Sequence, residues 1–453
     1  MGRLFGTNGV RGIANKDFTV ELVIKLAASC GHMLGKKIAI GRDGRTTSPL
    51  FRGSAISGLL SVGCDVYDLG MLPTPALQYS IKKLGLNGGL MITASHNPPQ
   101  FNGIKVNAAD GVEIPRSVEE KIEELFFAGG PKLKPWDEVG QIHNLEVLPN
   151  YIEAVLSKVD IETIRKSNFS IVIDPGNGVS SLVAPYIAEK LGCRVTTVNA
   201  EVDGRFPGRE SEPRPDNLGT LKSMVKATEA DIGVAFDGDA DRSIFVDEHG
   251  EVLWGDRSFA LIAKDYMTKH PNEKVVTPVS SSRAIIDVVE IAGGEMIWTR
   301  VGSVDVSRAM VEYGINLGGE ENGGVMYGPH HPVRDGSMTM ALILEIMAQR
   351  LKTLSELVSE LPSYFQSKDK VSCPNELKAL LLEHLKTKVK SNRIDTMDGL
   401  KLSFNDGNWI LIRPSGTEPI FRLYAEADSQ SKAEQLINEY KGLIESVIKE
   451  ISV

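Results

Sequence analysis

The feature that most limits the fold of this chain is a strand–loop–helix alternation that recurs along most of its length. KKIAIGRDGR (36–45) is a short apolar run closed by a glycine-containing loop, and SPLFRGSAISGLLSVG follows it at helical spacing. CDVYDLG, ALQYSIKKLG and GGLMITAS continue the alternation. The same order returns in FSIVIDPGNG, SSLVAPYIAEKLG, CRVTTVNA and ADIGVAFDGDADR. It returns again in KVVTPVSSS, SRAIIDVVEIAG, GEMIWTR, VGSVDVSRAMVEYG and INLGGEENGG. Strands that alternate with helices pair mostly in parallel, because each helix carries the chain back across a sheet face. Three such rounds predict three related mixed α/β units, although no residue-level repeat is visible. After about residue 365 a polar stretch, QSKDKVSCPNE, leads to a helix candidate, ELKALLLEHLKTKV. Strand candidates LKLSF, NWILIR and IFRLYAEA and a last amphipathic helix follow, which predicts a smaller α+β unit with an antiparallel sheet. The expected class is α/β, with domains at 1–149, 150–253, 254–365 and 366–453.

A chain of 453 residues exceeds what one core supports. With 42% hydrophobic and 24% charged residues the composition is that of a soluble globular protein. The net charge of −9, with no basic run to offset it, argues against a nucleic-acid partner, so any bound anion must be held by local positive charge. No run approaches the roughly 20 apolar residues needed to span a bilayer, and the N-terminus lacks a charged-then-apolar leader. No membrane partner and a cytoplasmic location are expected. Cys30, Cys64, Cys193 and Cys373 lie far apart with no CxxC, as small core residues do in a reducing compartment.

FDGDADR (236–242) carries the strongest chemical signal. Asp237, Asp239 and Asp241 follow an apolar strand at alternate positions, and the intervening Gly238 and Ala240 leave the loop free to curl. Oxygen ligands alone suit Mg²⁺ or Mn²⁺, or Ca²⁺ with more ligands. An EF-hand loop counted from Asp237 places Glu248 correctly at position twelve, but position six is Arg242 and the flanks are strand-like. Asp-x-Asp after a strand also opens haloacid-dehalogenase-type phosphatases, in which the first Asp is the nucleophile. Here Asp241 and the mid-chain position depart from that pattern. A solvated acidic turn is the plain alternative, although three like charges this close repel without a cation.

Four other loops have usable chemistry. RPSGTEPIFR (413–422) brackets a Ser-Gly-Thr turn with Arg413 and Arg422, the composition of a phosphate cradle and equally of a polar hairpin. GGEENGG (318–324) frames Glu320 and Asn322 with glycines, which suits sugar hydroxyls or a flexible turn. LFGTNGVRG (4–12) places Arg11 among glycines in an expected loop. In LMITASHNPPQFNGIKV (90–106), Ser95 ends an apolar run, with His96, Asn97 and Lys105 close behind. A phosphoryl group on Ser95 would carry about −1.5 to −2 charges and would need a cation and basic neighbours. FDGDADR, Arg11 and Lys105 offer these.

Taken in order, FGTNGVRG, TASHNP, NGIK, DGDADR, GEENGG and RPSGTEP resemble the α-D-phosphohexomutase family over essentially the whole chain. The resemblance implies four domains around a central active-site cleft, and a monomer or homodimer acting on a phosphosugar. It implies an intramolecular phosphotransferase that interconverts hexose 6-phosphate and hexose 1-phosphate, with one Mg²⁺ per chain and a hexose 1,6-bisphosphate as activator. Ser95 would be the phosphorylated residue, and Asp237, Asp239 and Asp241 would hold Mg²⁺ with a phosphoserine oxygen. Lys105 matches the family's general acid or base, Arg11 and Arg242 would line the phosphoserine, and Ser95, Lys105, His96 and Arg11 would make up the catalytic set. Glu320 and Asn322 would meet sugar hydroxyls, and Arg413, Ser415, Gly416, Thr417 and Arg422 would hold the phosphate not in transfer. Many members carry Ser at the Asn322 position and some carry His at Gly324, which leaves His330 or His331 as candidates for a proton relay. Asn8 replaces a more usual Asp or Ser, and Ser303 stands where relatives often carry His or Asp. The wording is nearest the archaeal-type branch usually labelled phosphoglucosamine mutase. A broad phosphomannomutase/phosphoglucomutase is the alternative, and a Mg²⁺-dependent sugar phosphatase a more distant one.

Overall fold

The computed structural model describes residues 4–389, 391–416 and 418–451. Its strands form four sheets. The first contains β1 (Val10–Ile13), β2 (Lys37–Arg42), β3 (Asp65–Met71), β4 (Gly88–Ile92), β5 (Phe101–Ala108) and β6 (Ile142–Asn144), in lateral order β1-β5-β4-β2-β3-β6. The second, β11-β10-β9-β7-β8, uses β7 (Ser170–Asp174), β8 (Arg194–Thr197), β9 (Ile232–Phe236), β10 (Ser243–Asp247) and β11 (Val252–Leu253). The third, β13-β12-β14-β15-β16, uses β12 (Lys274–Pro278), β13 (Glu295–Thr299), β14 (Leu317–Gly319), β15 (Val325–Tyr327) and β16 (His331–Arg334). The fourth, β17-β21-β20-β19-β18, is antiparallel throughout: β17 (Phe365–Ser372), β18 (Arg393–Asp395), β19 (Leu400–Ser403), β20 (Trp409–Pro414) and β21 (Ile420–Ala427).

The repetition expected from the alternation is topological. In the first three sheets an inner strand (β2, β7, β12) is flanked in parallel by the next strand on one side and by the third (β4, β9, β14) on the other. The chain then reverses into an antiparallel strand: β5, β10 or β15. β4 (GGLMI) and β9 (IGVAF) are buried at every position, as strands covered on both faces must be.

One apolar core runs through the first three units, from Leu77 and Tyr151 through Ile173 and Phe236 to Phe259 and Met338. The helix Gly336–Arg350 is buried on nearly all sides and packs on the helices Leu148–Leu156, Ile161–Ser167 and Gly255–Lys269. The fourth unit has its own core around Ile410, Ile412, Leu423 and Ile444. It meets the third through Trp409 and Leu411 on Val279, and through Lys401, which lies over the Trp298 and Trp409 rings. The four cysteines are buried and free. Among the described residues no helix is long and apolar enough to cross a membrane.

Three segments differ from the sequence reading. Val10–Ile13, expected as loop, is an edge strand paired antiparallel with β5. Lys105 lies inside the eight-residue strand Phe101–Ala108, which the Asn-Pro-Pro turn had hidden. The polar stretch after 365 is also a strand; lysine-rich and at a sheet edge, β17 keeps its outer positions in water and so lacks an apolar signature.

Candidate active site

The three chemistry-bearing loops of the first three units occupy equivalent places. Residues 93–100 join β4 to β5, 237–242 join β9 to β10, and 320–324 join β14 to β15, each at the point where a parallel strand gives way to an antiparallel one. The units turn these loops toward one another. Ser95 Oγ donates to Asp237 Oδ2 at 3.0 Å, and Arg334 joins Asp241 Oδ2 at 2.5 Å to Glu320 Oε2 at 3.1 Å.

Ser95 is buried and adopts φ +52°, a conformation that costs a non-glycine residue about 1–3 kcal/mol and persists only where its surroundings enforce it. Arg45 enforces it. Its guanidinium donates to the carbonyls of Ser95 (2.8 Å), Asn97 (2.6 Å), Pro98 (2.7 Å) and Phe101 (3.0 Å). Arg45 Nε is paired with Asp43 at 3.0 Å, and Asp43 also accepts from Ser48 and Thr93 hydroxyls. Arg11, half-buried on β1, donates to Ala94 O and Asn97 Oδ1 from the other side; burial pushes its pKa down to about 10 against the opposing charges of Asp239 and Asp241. Between Arg45 and Arg11 the loop is held in one shape with the Ser95 hydroxyl on a carboxylate.

Asp237, Asp239 and Asp241 are buried, and one oxygen of each lies within 4.8 Å of the others. Lys105 Nζ lies 2.6 Å from Asp239 and 2.7 Å from Asp241, and Thr74 Oγ1 also donates to Asp239. Asp237 accepts from Ser95 and from Arg242 Nε at 3.2 Å. Burial, reinforced by the Asp241 charge and opposed by Arg242, pushes Asp237 up to about 7. Burial would raise Asp241 too, but Arg334, Lys105 and Arg242 hold it well below the usual carboxylate range. Lys105 is raised: burial alone would lower it, and Asp239 and Asp241 outweigh burial. Burial, with Arg242 and Arg11 adding, drives His96 well below its ordinary value, so its ring is neutral at pH 7.

The buried polar atoms without partners tell what the cluster is built to receive. Among the described residues, Asp239 Oδ1 and Asp241 Oδ1 accept no hydrogen bond, and Arg242 Nη2 and Arg334 Nε donate none. Two free carboxylate oxygens beside a serine hydroxyl fit a hard divalent cation. Two free guanidinium nitrogens beside them fit phosphoryl oxygens.

The remaining sequence candidates are placed less centrally. Glu320 is buried, with burial raising its pKa against Arg334. Asn322, half-buried, accepts from Gly324 N at 3.2 Å and so shapes its own loop. Arg413 and Arg422 face each other across β20 and β21. Two like charges in that register are unfavourable unless compensated. Arg413 is held by Asp398 at 2.6 Å and Arg422 by Glu418 at 2.7 Å. Ser415 is buried, Gly416 is exposed, and Thr417 lies outside the described residues. His330 stacks on Tyr79 and sits 3.3 Å from Asp335, behind the Asp237–Asp241 loop; His331 lies against Gly111. Neither hydrogen-bonds to Glu320 or Asn322. Sequence reasoning missed Arg45, Asp43, Thr74 and Arg334.

Four family profiles match successive segments of the chain between residues 2 and 441. The descriptions are phosphoglucomutase/phosphomannomutase, alpha/beta/alpha domain I over residues 2–132, domain II over 149–250 and domain III over 254–365, with the C-terminal domain over 368–441. The chain belongs to the phosphoglucomutase/phosphomannomutase family. It is 42% identical, over 99% of its own length and 100% of the relative's, to a phosphoglucomutase/phosphomannomutase of Thermococcus kodakarensis. It is 44% identical, over 98% and 100%, to a phosphoglucosamine/phosphogalactosamine mutase of Sulfurisphaera tokodaii. A solved phosphoglucomutase/phosphomannomutase family protein from Burkholderia thailandensis superposes with a TM-score of 0.87 at 27% identity, covering 97% of each chain. The chain is therefore a phosphohexomutase-family enzyme. Relatives of near-equal identity carry different sugars in their names, so overall similarity does not select the sugar.

Proposed function

We propose that the protein interconverts hexose 6-phosphate and hexose 1-phosphate through a phosphorylated Ser95, with glucosamine phosphates as first substrates and glucose and mannose phosphates as the alternative. The observation that carries this reading is the Ser95 hydroxyl, clamped in a strained turn 3.0 Å from Asp237, beside two buried carboxylate oxygens that accept no hydrogen bond. Phospho-Ser95 donates its phosphoryl group to the free hydroxyl of the bound sugar monophosphate. The 1,6-bisphosphate turns over, and Ser95 takes back the other phosphoryl group. Asp237, Asp239 and Asp241 would hold one Mg²⁺, which when bound neutralises charge on the group in flight. Arg242 and Arg334 offer free donors to the phosphoryl oxygens, Lys105 handles the hydroxyl proton, and Arg11 with Arg45 keeps the loop in register. Glu320 and Asn322 would grip sugar hydroxyls, and Arg413, Ser415, Gly416, Thr417 and Arg422 the phosphate at rest. Because the fourth unit has a separate core, it is the part able to swing and let the bisphosphate turn.

The phosphatase alternative has less support. Asp237 accepts at both oxygens, Oδ1 from Arg242 N and Oδ2 from Ser95 and Arg242 Nε, an arrangement that uses Asp237 as the acceptor for the Ser95 hydroxyl. The test is a Mg²⁺-dependent mutase assay primed with glucose 1,6-bisphosphate, comparing the 1-phosphates of glucosamine, glucose and mannose for wild type and Ser95→Ala. Loss of isomerisation in a folded Ser95→Ala variant supports the reading. Near-normal turnover in that variant, or steady phosphate release without isomerisation by the wild type, removes it.

A further inference from the structure

A second cluster of unpartnered buried atoms lies outside the machinery described so far, where the first and third units meet. Asn8, Glu113 and Ser303 are 7%, 5% and 3% exposed. Asn8 Nδ2 donates to Glu113 Oε1 at 3.1 Å and reaches Ser303 Oγ at 3.0 Å. The carboxylate accepts only, so it fixes which end of the Asn8 amide is nitrogen. That leaves Asn8 Oδ1 and Glu113 Oε2 as buried acceptors, and among the described residues neither receives a hydrogen bond. Buried acceptors left without donors are costly, and two in one cluster, one of them anionic, point to a missing donor rather than to loose packing.

The position of the cluster says what that donor belongs to. Gly9 lies so close to β5 that a Cβ there would come 3.1 Å from the Cα of Lys105, which packs the backbone next to Asn8 against the strand that carries the proton-handling lysine. The turn carrying Ser303 is held on the other side by the fourth unit: Arg413 Nη2 reaches Val301 O at 3.4 Å, and Asp398 accepts from Val301 N at 3.0 Å. Glu113 acts electrostatically on Arg334, the residue that links Asp241 to Glu320. The cluster thus sits between the group that transfers phosphate and the arginine proposed to hold the other one, where the sugar ring must lie. Its backbone is tied down as well, since Arg308 donates to the carbonyls of Val112 and Glu113 and pairs with Asp110 at 2.7 Å.

We propose that Asn8, Glu113 and Ser303 form the subsite that reads an amino group on the sugar, and that they make the enzyme selective for amino-hexose phosphates over their hydroxyl counterparts. This inference rests on the mutase reading. A protonated amine brings three N–H donors and a positive charge, enough for Glu113 Oε2 and Asn8 Oδ1 together. A hydroxyl brings one donor and no charge, and leaves one acceptor buried and unpaired. An N-acetylated amine brings one N–H, no charge and added bulk. A site built on buried polar groups discriminates strongly against a ligand that leaves them unpaired. Turning the bisphosphate moves the amine elsewhere, so the contact belongs to one of the two binding orientations.

The test compares kcat/KM for glucosamine 1-phosphate and glucose 1-phosphate in wild type and Glu113→Gln. The expected result is a wild-type preference for the amino sugar, and a Glu113→Gln loss about 10- to 100-fold larger for glucosamine 1-phosphate than for glucose 1-phosphate, the range of one charge-assisted hydrogen bond. Equal losses on both sugars, or no wild-type preference, overturn the assignment. A second measurement does not depend on how Glu113→Gln folds. Calorimetric titration of glucosamine 1-phosphate and glucose 1-phosphate into Ser95→Ala, which probes the same orientation as the kinetic test, at about pH 6 and about pH 9, should show the amino-sugar advantage shrinking as the amine loses its proton. A pH-independent ratio contradicts recognition of an ammonium. Isomerisation of none of the sugar phosphates by the wild type would instead overturn the mutase reading, and this inference with it.

Discussion

Arg45→Met is the substitution whose consequences the structure specifies most fully. The side chain is fully buried, and methionine keeps much of its apolar stem while deleting the guanidinium. Breaking the buried pair with Asp43 costs about 3–5 kcal/mol when the partner is left charged, and Asp43 keeps two hydroxyl donors that soften this. The four carbonyls that lose a donor would each cost about 1–3 kcal/mol if they stayed dry, so the loop is expected to move toward water instead. The strain at Ser95, φ +52°, drives it the same way. A shift of about 1 Å in a reacting atom costs about a hundredfold in rate. Arg45→Met should therefore lower kcat at least about a hundredfold and lower the thermal midpoint, while Mg²⁺ still raises that midpoint because Asp237, Asp239 and Asp241 remain. Arg45→Lys should recover only part of the rate, since one ammonium cannot span four carbonyls. Steady-state kinetics with added bisphosphate and thermal scans with and without Mg²⁺ measure both effects. A kcat within about threefold of wild type for Arg45→Met would refute the view that this clamp positions the nucleophile.

Three further outcomes are expected. Burial, with His330 beside it, pushes His331 down to about 4 from 6.5, so between those values the unfolded chain takes a proton that the folded chain refuses. Stability should fall as pH drops through that window, by up to about 3 kcal/mol, and His331→Gln should flatten the slope of thermal midpoint against pH. Mg²⁺ at about a hundred times its dissociation constant should add about 2.7 kcal/mol of stability, read as a raised midpoint that EDTA reverses and Asp239→Asn largely abolishes. Arg413→Ala should cut kcat/KM about 10- to 100-fold, mostly through KM, if Arg413 is the charged donor proposed for the resting phosphate; an unchanged KM would argue against a cradle at β20–β21.

The alternation of apolar runs and helical spacing made the α/β class legible, because buried parallel strands such as GGLMI and IGVAF must be continuously apolar. Ser95 and the Asp237–Asp241 set were legible from local wording. What joins them was not. Arg45 reaches residues 50 to 56 positions away, and Arg334 reaches Asp241 across 93. Both stand in ordinary stretches, GRDGR and HPVRD, with no spacing to mark them. Edge strands β1 and β17 were missed because a strand with one face in water carries little apolar signal. The equivalence of the three loops lies in strand order rather than in residue identity, which is why no repeat could be read from the letters alone.

The proposed mutase cycle requires that Ser95 carry the phosphoryl group and return it to the sugar. The most direct measurement is a single-turnover chase. Enzyme labelled with radioactive phosphate by glucose 1,6-bisphosphate is mixed with unlabelled sugar 1-phosphate, and the label on the Ser95 peptide and in the sugar is followed in time. Label should appear on Ser95 alone and leave it as labelled bisphosphate forms, with none taken up by Ser95→Ala. Label on Asp237, or label lost to inorganic phosphate at the rate it leaves the protein, would contradict it.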